Sequence, residues 1–332
     1  MRAYQELFLG LFFIAITLGW AMPPKAASQE TDNPAGIHKD VQIQRDISYG
    51  AHERNVLDLW IVNSKKPAPL VLYIHGGGFR QGDKKSLREA DLNTYLDAGY
   101  SVAAINYRLT NTAPAPAAYL DCARALQFLR HHAKKWNIDA ERIASTGGSA
   151  GAGISMWLAF HDDMANAGSS DPIARESTRL TCVAVNNGQP SYDPRFAQNA
   201  GIPRPNFERH VFFLPFYDIT MEQADTPLAY KRYTEAAPVT YISPDDPPVL
   251  LDYSYTNDKV DENTSLDHIV HHPKLGIALK EKLDSLHIDC IVQYPDKDGQ
   301  MIRFNKQSNE AVVSKIEFIK KYLNSVHSEN RN

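Results

Sequence analysis

Cysteine is scarce in this 332-residue chain, which carries only Cys122, Cys182 and Cys290. Each lies in an apolar run and reads as a small core residue, so a disulfide framework is not indicated. Charge imbalance is slight as well: 35 lysines and arginines stand against 39 aspartates and glutamates, a formal net charge of −4. No basic patch stands out, which argues against nucleic acid as a partner. There is no H-E-x-x-H, no cysteine pair and no dinucleotide fingerprint, so no metal and no cofactor is expected. Internal repeats and low-complexity tracts are missing too.

The chain opens on a targeting pattern. Arg2 precedes an apolar run from Leu7 to Met22, followed by Pro23, Pro24 and the small residues Ala26, Ala27 and Ser28. A charged start, an apolar middle and a small-residue cleavage region describe a secretory signal over 1–28. That implies export, periplasmic or secreted, with no stable membrane insertion after cleavage. An uncleaved membrane anchor is the competing reading, because the run is only slightly short of a spanning helix. A polar linker, 29–40, follows.

From residue 41 strands and helices alternate. Strands are expected at 41–48, 55–62, 69–75, 101–107, 142–146, 180–185, 248–253 and 288–294. Helices are expected at 84–98, 150–160 and 274–286, with Val312, Ile316, Ile319 and Leu323 marking a last one. Another is marked by Cys122, Ala125, Leu126, Leu129, Ala133 and Trp136, which recur at helical spacing. The continuous apolar run PLVLYIH at 69–75 suits a strand buried on both faces. The pattern predicts an α/β domain over 41–325, a mostly parallel central sheet with helices on both faces, and a short tail at 326–332. The stretch 187–246 breaks the alternation with prolines, aromatics and charge, and reads as a cap inserted over the sheet's edge. Its aromatics Phe207, Phe212, Phe213, Phe216, Tyr217, Tyr230 and Tyr233 suit either a pocket lining or half-buried packing.

Two glycine motifs carry chemistry. Gly147-Gly148-Ser149-Ala150-Gly151 fits G-x-S-x-G between a strand and a helix, where a serine on a strained turn needs small neighbours. The helix that follows points its N-terminal amides at that serine. His75-Gly76-Gly77-Gly78-Phe79 follows a buried strand and offers backbone N–H groups to an oxygen without side chains in the way. A phosphate loop would need Lys-Ser or Lys-Thr after the last glycine, and neither is there.

On these motifs the chain resembles the esterase/lipase group of the α/β-hydrolase fold, including hormone-sensitive-lipase-like and feruloyl/acetyl-esterase-like carboxylesterases. HGGGF at 75–79, NYRL at 106–109, DCARALQFLR at 121–130, GGSAGAG at 147–153 and PPVLL at 247–251 carry the resemblance. It implies Ser149 as nucleophile and Gly77, Gly78 and Ala150 as oxyanion donors. Chain order then asks for an acid past strand 248–253, where Asp258 is the natural candidate with Asp261 and Glu262 close behind. It also asks for a histidine after the last strand, and Ile288 to Val326 contains none. Gly299 or Gln300 stands where the base belongs, and neither accepts a proton from serine. Asp296, Asp298 and Gly299 read as a tight turn in preference to a calcium loop. His271 and His272 are candidate alternative bases, although a histidine beside Pro273 equally suits a helix start. His75 is expected to shape the glycine loop.

Two functions follow from this pattern. One is an exported serine carboxylesterase acting on a small-molecule or polysaccharide ester, weak for want of its base. The other is an inactive hydrolase scaffold that binds a ligand under its cap.

Overall fold

The computed structural model describes residues 40–203, 214–304 and 311–329. The expected signal segment, nearly all of the linker, and Phe207, Phe212 and Phe213 lie outside them. In chain order the elements are β1 (Val41–Ser48), β2 (Val56–Val62), β3 (Ala68–Ile74), α1 (Glu89–Asp97), β4 (Ser101–Ile105), α2 (Ala117–His131), β5 (Ile138–Gly148), α3 (Ala150–Phe160) and β6 (Cys182–Asn186). Then come α4 (Pro194–Asn199), α5 (Leu214–Tyr217), α6 (Pro227–Ala236), β7 (Val249–Asp252), α7 (Leu266–Val270), α8 (Pro273–Ser285), β8 (Cys290–Pro295), β9 (Met301–Arg303) and α9 (Lys315–Glu329).

The strands form one sheet in the order β1-β2-β4-β3-β5-β6-β7-β8-β9. From β4 to β8 all neighbours pair in parallel, while β1, β2 and β9 add antiparallel edges. Alternation along β3 sends Leu70, Leu72 and Ile74 into a core with α2, α3 and α8, and Val71 into a second core with α1 and α9. Both faces are therefore covered, as an apolar parallel sheet requires. This is the α/β-hydrolase arrangement. The three cysteines are free and buried within it.

Several features differ from the sequence reading. The expected helix at 84–98 splits into a short turn at Lys84–Ser86 and α1. Lys84 is drawn inward, its Nζ 2.6 Å from Asp58 and 2.8 Å from Asp46, while Asn106 takes its backbone N–H. At the C-terminus α9 runs on to Glu329, through much of the segment read as a tail. The insertion leaves the sheet at β6 and returns at β7, which are adjacent inner strands. Its connection therefore starts and ends inside the sheet, not at an edge strand. Phe216 stacks on Phe79 at 4.1 Å and meets Tyr119 edge-on, so it packs against the glycine loop and α2. Tyr217 and Tyr233 are buried beside it.

Candidate active site

The turn from β5 into α3 holds Ser149 at φ 52°, ψ −118°, a left-handed conformation that a serine adopts only under constraint. The constraint is contact with the end of β3. A Cβ at Gly147 would lie 2.3 Å from the Ile74 carbonyl oxygen, and one at Gly151 only 2.1 Å from the same atom. A Cβ at Gly76 would meet Gly148 O at 2.7 Å. The motif's glycines are thus demanded by two backbones pressed together. The N–H of Ser149 donates to Asn186 O at 3.0 Å and is already committed. That of Ala150, in the first turn of α3, has no carbonyl partner inside its helix.

The glycine loop is held just as firmly. Gly77 and Gly78 take φ values of 109° and 60°. The Gly77 carbonyl accepts from the N–H groups of Arg80 and Gln81. His75 is fully buried and donates from Nδ1 to Gly76 O at 2.7 Å. Its Nε2 accepts from Arg54 Nη2 at 3.3 Å, and the same Arg54 nitrogen donates to Gly82 O. Tyr107 stacks on the ring at 4.3 Å and donates its hydroxyl to His75 O. Burial pushes the His75 imidazole down to about 4. A neutral ring is what this bonding pattern needs, because Nε2 must accept. His75 thus shapes the loop, as expected from its place in the motif.

The imidazole beside Ser149 comes from a segment that sequence reasoning left undecided. His271 Nε2 lies 2.9 Å from Ser149 Oγ. Its Nδ1 lies 3.0 Å from Asp267 Oδ1, four residues back in the chain, although the ring N–H is not aligned on that oxygen. Burial lowers the His271 pKa, and the charge of Asp267 opposes the shift. His272, the neighbour, does the other job: Nδ1 accepts from Lys274 N at the start of α8, and Nε2 donates to Asp258 O. One histidine of the pair is a helix cap and the other faces the nucleophile.

The structure does not bring the Asp258 carboxylate to this imidazole. The Asp258 carboxylate is exposed and accepts from Thr256 Oγ1 at 2.7 Å. Only its backbone carbonyl serves the histidine pair, and it serves His272. The carboxylate beside His271 is Asp267, on α7, a five-residue helix capped by Ser265, whose Oγ accepts from His268 N. So short a helix shows no apolar period. The usable signal is Asp267-x-x-x-His271, because helical residues four apart share a face. Past β8, where the resemblance seeks its histidine, Asp296 to Gln300 form the expected tight turn into β9, with Gly299 at φ 80°. The elbow therefore has an imidazole at hydrogen-bond distance, supplied from before β8.

These groups open on a cavity of about 730 Å³ bordered by Gly77, Gly78, Arg80, Ser149, Asp267 and His271. A separate hollow of about 460 Å³ lies between Trp157, Tyr217 and Tyr241. Among the described residues no cluster of His, Cys, Asp and Glu suits a metal ion.

Comparison with known proteins gives consistent results. The BD-FAE family profile matches residues 57–189. The probable carboxylic ester hydrolase LipM of Mycobacterium tuberculosis is 28% identical over 241 residues, covering 70% of this chain and 53% of LipM. Esterase LipQ of the same organism is 26% identical over 224 residues, covering 65% and 49%. The chain spans about half the length of these curated relatives. Among solved structures, a truncated carbohydrate esterase from gut microbiota superposes with a TM-score of 0.58 at 20% identity, covering 77% of this chain and 88% of that one. A bacterial heroin esterase gives 0.57 at 19% identity, covering 90% and 87%. Both share the fold.

Proposed function

We propose that the chain is a serine ester hydrolase of the esterase/lipase group of the α/β-hydrolase fold, with Ser149, His271 and Asp267 as its catalytic unit. The observation that carries this reading is the 2.9 Å contact between His271 Nε2 and Ser149 Oγ at an elbow that shares its cavity with Gly77 and Gly78. Neutral His271 takes the serine proton at Nε2 as Oγ attacks the ester carbonyl. The carbonyl oxygen becomes an oxyanion held by the amides of Gly77, Gly78 and Ala150, where one such donor contributes about 3–4 kcal/mol to the barrier. His271 then gives its proton to the leaving alkoxide, and water repeats the sequence on the acyl-enzyme. Asp267 favours the tautomer with hydrogen on Nδ1 and stabilises the imidazolium.

A small or carbohydrate-linked ester suits the cavity, which is open to solvent and mixes apolar residues such as Leu266 and Val270 with Arg80, Gln81 and Gln189. Export is part of the proposal and rests on the signal pattern at 1–28. Hydrolysis of a short-chain aryl acetate by wild type and Ser149→Ala tests the reading. Turnover lost with the serine is expected; equal activity in both proteins would leave the inactive, ligand-binding scaffold.

A further inference from the structure

Asp267 is weakly placed for an acid that must orient a base. Its side chain is 67% exposed, it reaches His271 along a helix of five residues, and the ring N–H is not aligned on it. An exposed carboxylate rotates into water and loses most of its effect on a neighbouring charge. A second contact is needed to keep it facing the imidazole.

That contact is Tyr255, in the loop between β7 and α7. Its hydroxyl donates to Asp267 Oδ2, so the carboxylate bridges phenol and imidazole through its two oxygens. The bond favours the protonated phenol and raises its pKa to about 12. The phenol ring stacks on His268 at 4.7 Å and lies parallel to the His271 ring at 6.4 Å, with an interplanar angle of 7°. His268 in turn bonds Thr256 O and stacks on His272 at 5.0 Å. The backbone beneath Tyr255 is tied to the elbow's own support. Ser254 N donates to Asn187 Oδ1, Asn187 Nδ2 donates to Ser254 Oγ, and the adjacent Asn186 O holds Ser149 N. Contacts therefore close a ring: Ser149, Asn186–Asn187, Ser254–Tyr255, Asp267, His271 and back to Ser149.

We propose that Tyr255 is a positioning residue of the active site, its hydroxyl fixing the Asp267 carboxylate so that His271 is aimed at Ser149. The proposal rests on His271 being the base. Among the described residues, the charged and titratable groups around that imidazole are Asp267 from its own segment, Tyr255 from the preceding loop, Ser149 from the elbow, and Arg80, which lines the same cavity.

The test compares kcat, KM and the pH profile of aryl acetate hydrolysis in wild type, Tyr255→Phe, Asp267→Asn and the double variant, with His271→Ala as reference. Phenylalanine keeps the stacked ring and removes only the hydroxyl. Tyr255→Phe is expected to lower kcat about tenfold, the scale of losing one hydrogen bond to a charged group, with KM within about twofold. Asp267 raises the His271 pKa, so freeing it moves the acid limb to lower pH, in the same direction as Asp267→Asn. Adding Tyr255→Phe to Asp267→Asn should cost less than about twofold, because the hydroxyl acts only through the carboxylate. An unchanged kcat in Tyr255→Phe, or an equal loss in both backgrounds, overturns the proposal. Full activity in His271→Ala overturns the base itself and this proposal with it. An inactive His271→Ala beside a fully active Asp267→Asn sinks only the Tyr255–Asp267 link.

Discussion

Ser149 and the glycine loop are placed by backbone, whereas Asp267 and His271 are placed by side chains. Around the elbow, Gly76, Gly147 and Gly151 leave no room for a Cβ, and the carbonyls of Ile74 and Gly148 sit where one would be. In the segment from Tyr255 to His272 the geometry depends on a capping serine, a buried helix-capping histidine, stacked rings and a phenol on a carboxylate. A backbone solution admits one residue type and leaves a motif. A side-chain solution admits many, and leaves almost none. Catalytic groups of one site can thus be unequally visible in a sequence.

Substitution of either central group tests both regions at once. Ser149→Ala and His271→Ala are each expected to lower kcat by about 10⁴-fold or more, as for triad members elsewhere, measured on an aryl acetate. Backbone placement is probed by Gly151→Ala, whose Cβ would lie 2.1 Å from Ile74 O and 2.7 Å from His75 O. Neither carbonyl is on a flexible side chain, so a loss of about 3 kcal/mol in urea unfolding is expected, at the upper end for overpacking. Gly168→Ala serves as the control, because its Cβ would meet only Asn166 Oδ1, at 3.6 Å. The two candidate acids separate next. Asp267→Asn is expected to cost about 10²-fold in kcat, less than a buried triad acid because Asp267 is exposed. Asp258→Asn should stay within about twofold, since its carboxylate bonds only to Thr256 Oγ1 among the contacts described.

The smallest effects concern pH. Burial holds the His271 pKa below its ordinary 6.5, and the base must be neutral to act. The acid limb of kcat/KM should therefore fall below pH 6.5, with activity retained down to that value. His75 and His272 are pushed to about 4 in the folded chain. Between pH 6.5 and 4 the unfolded state binds protons that the folded state refuses, so stability should decline as pH falls through that window. Thermal unfolding at pH 7 and pH 4.5 checks the sign.

Much of the fold was legible in the sequence, because a parallel sheet needs apolar runs and its helices need apolar stripes. The strand at 41–48 and the helix at 150–160 match to the residue. The half of the site built on glycine was legible too. Asp258 misled because position after β7 locates a loop and says nothing about which carboxylate turns inward. His271 and His272 could not be told apart, since adjacent histidines before Pro273 both fit a helix start. Only the fold shows that His272 takes the cap and leaves His271 to face Ser149. Strand order, which decides between which strands an insertion falls, is not written in any local pattern.

The central claim is that His271 activates Ser149. Its most direct test is the rate at which an aryl phosphonate labels Ser149, followed by mass spectrometry of the intact protein against pH. Wild type should be labelled at Ser149 with a rate that falls through one ionisation below pH 6.5, and His271→Ala should be labelled about 10³-fold more slowly or worse. Equal labelling rates in the two proteins would contradict the account.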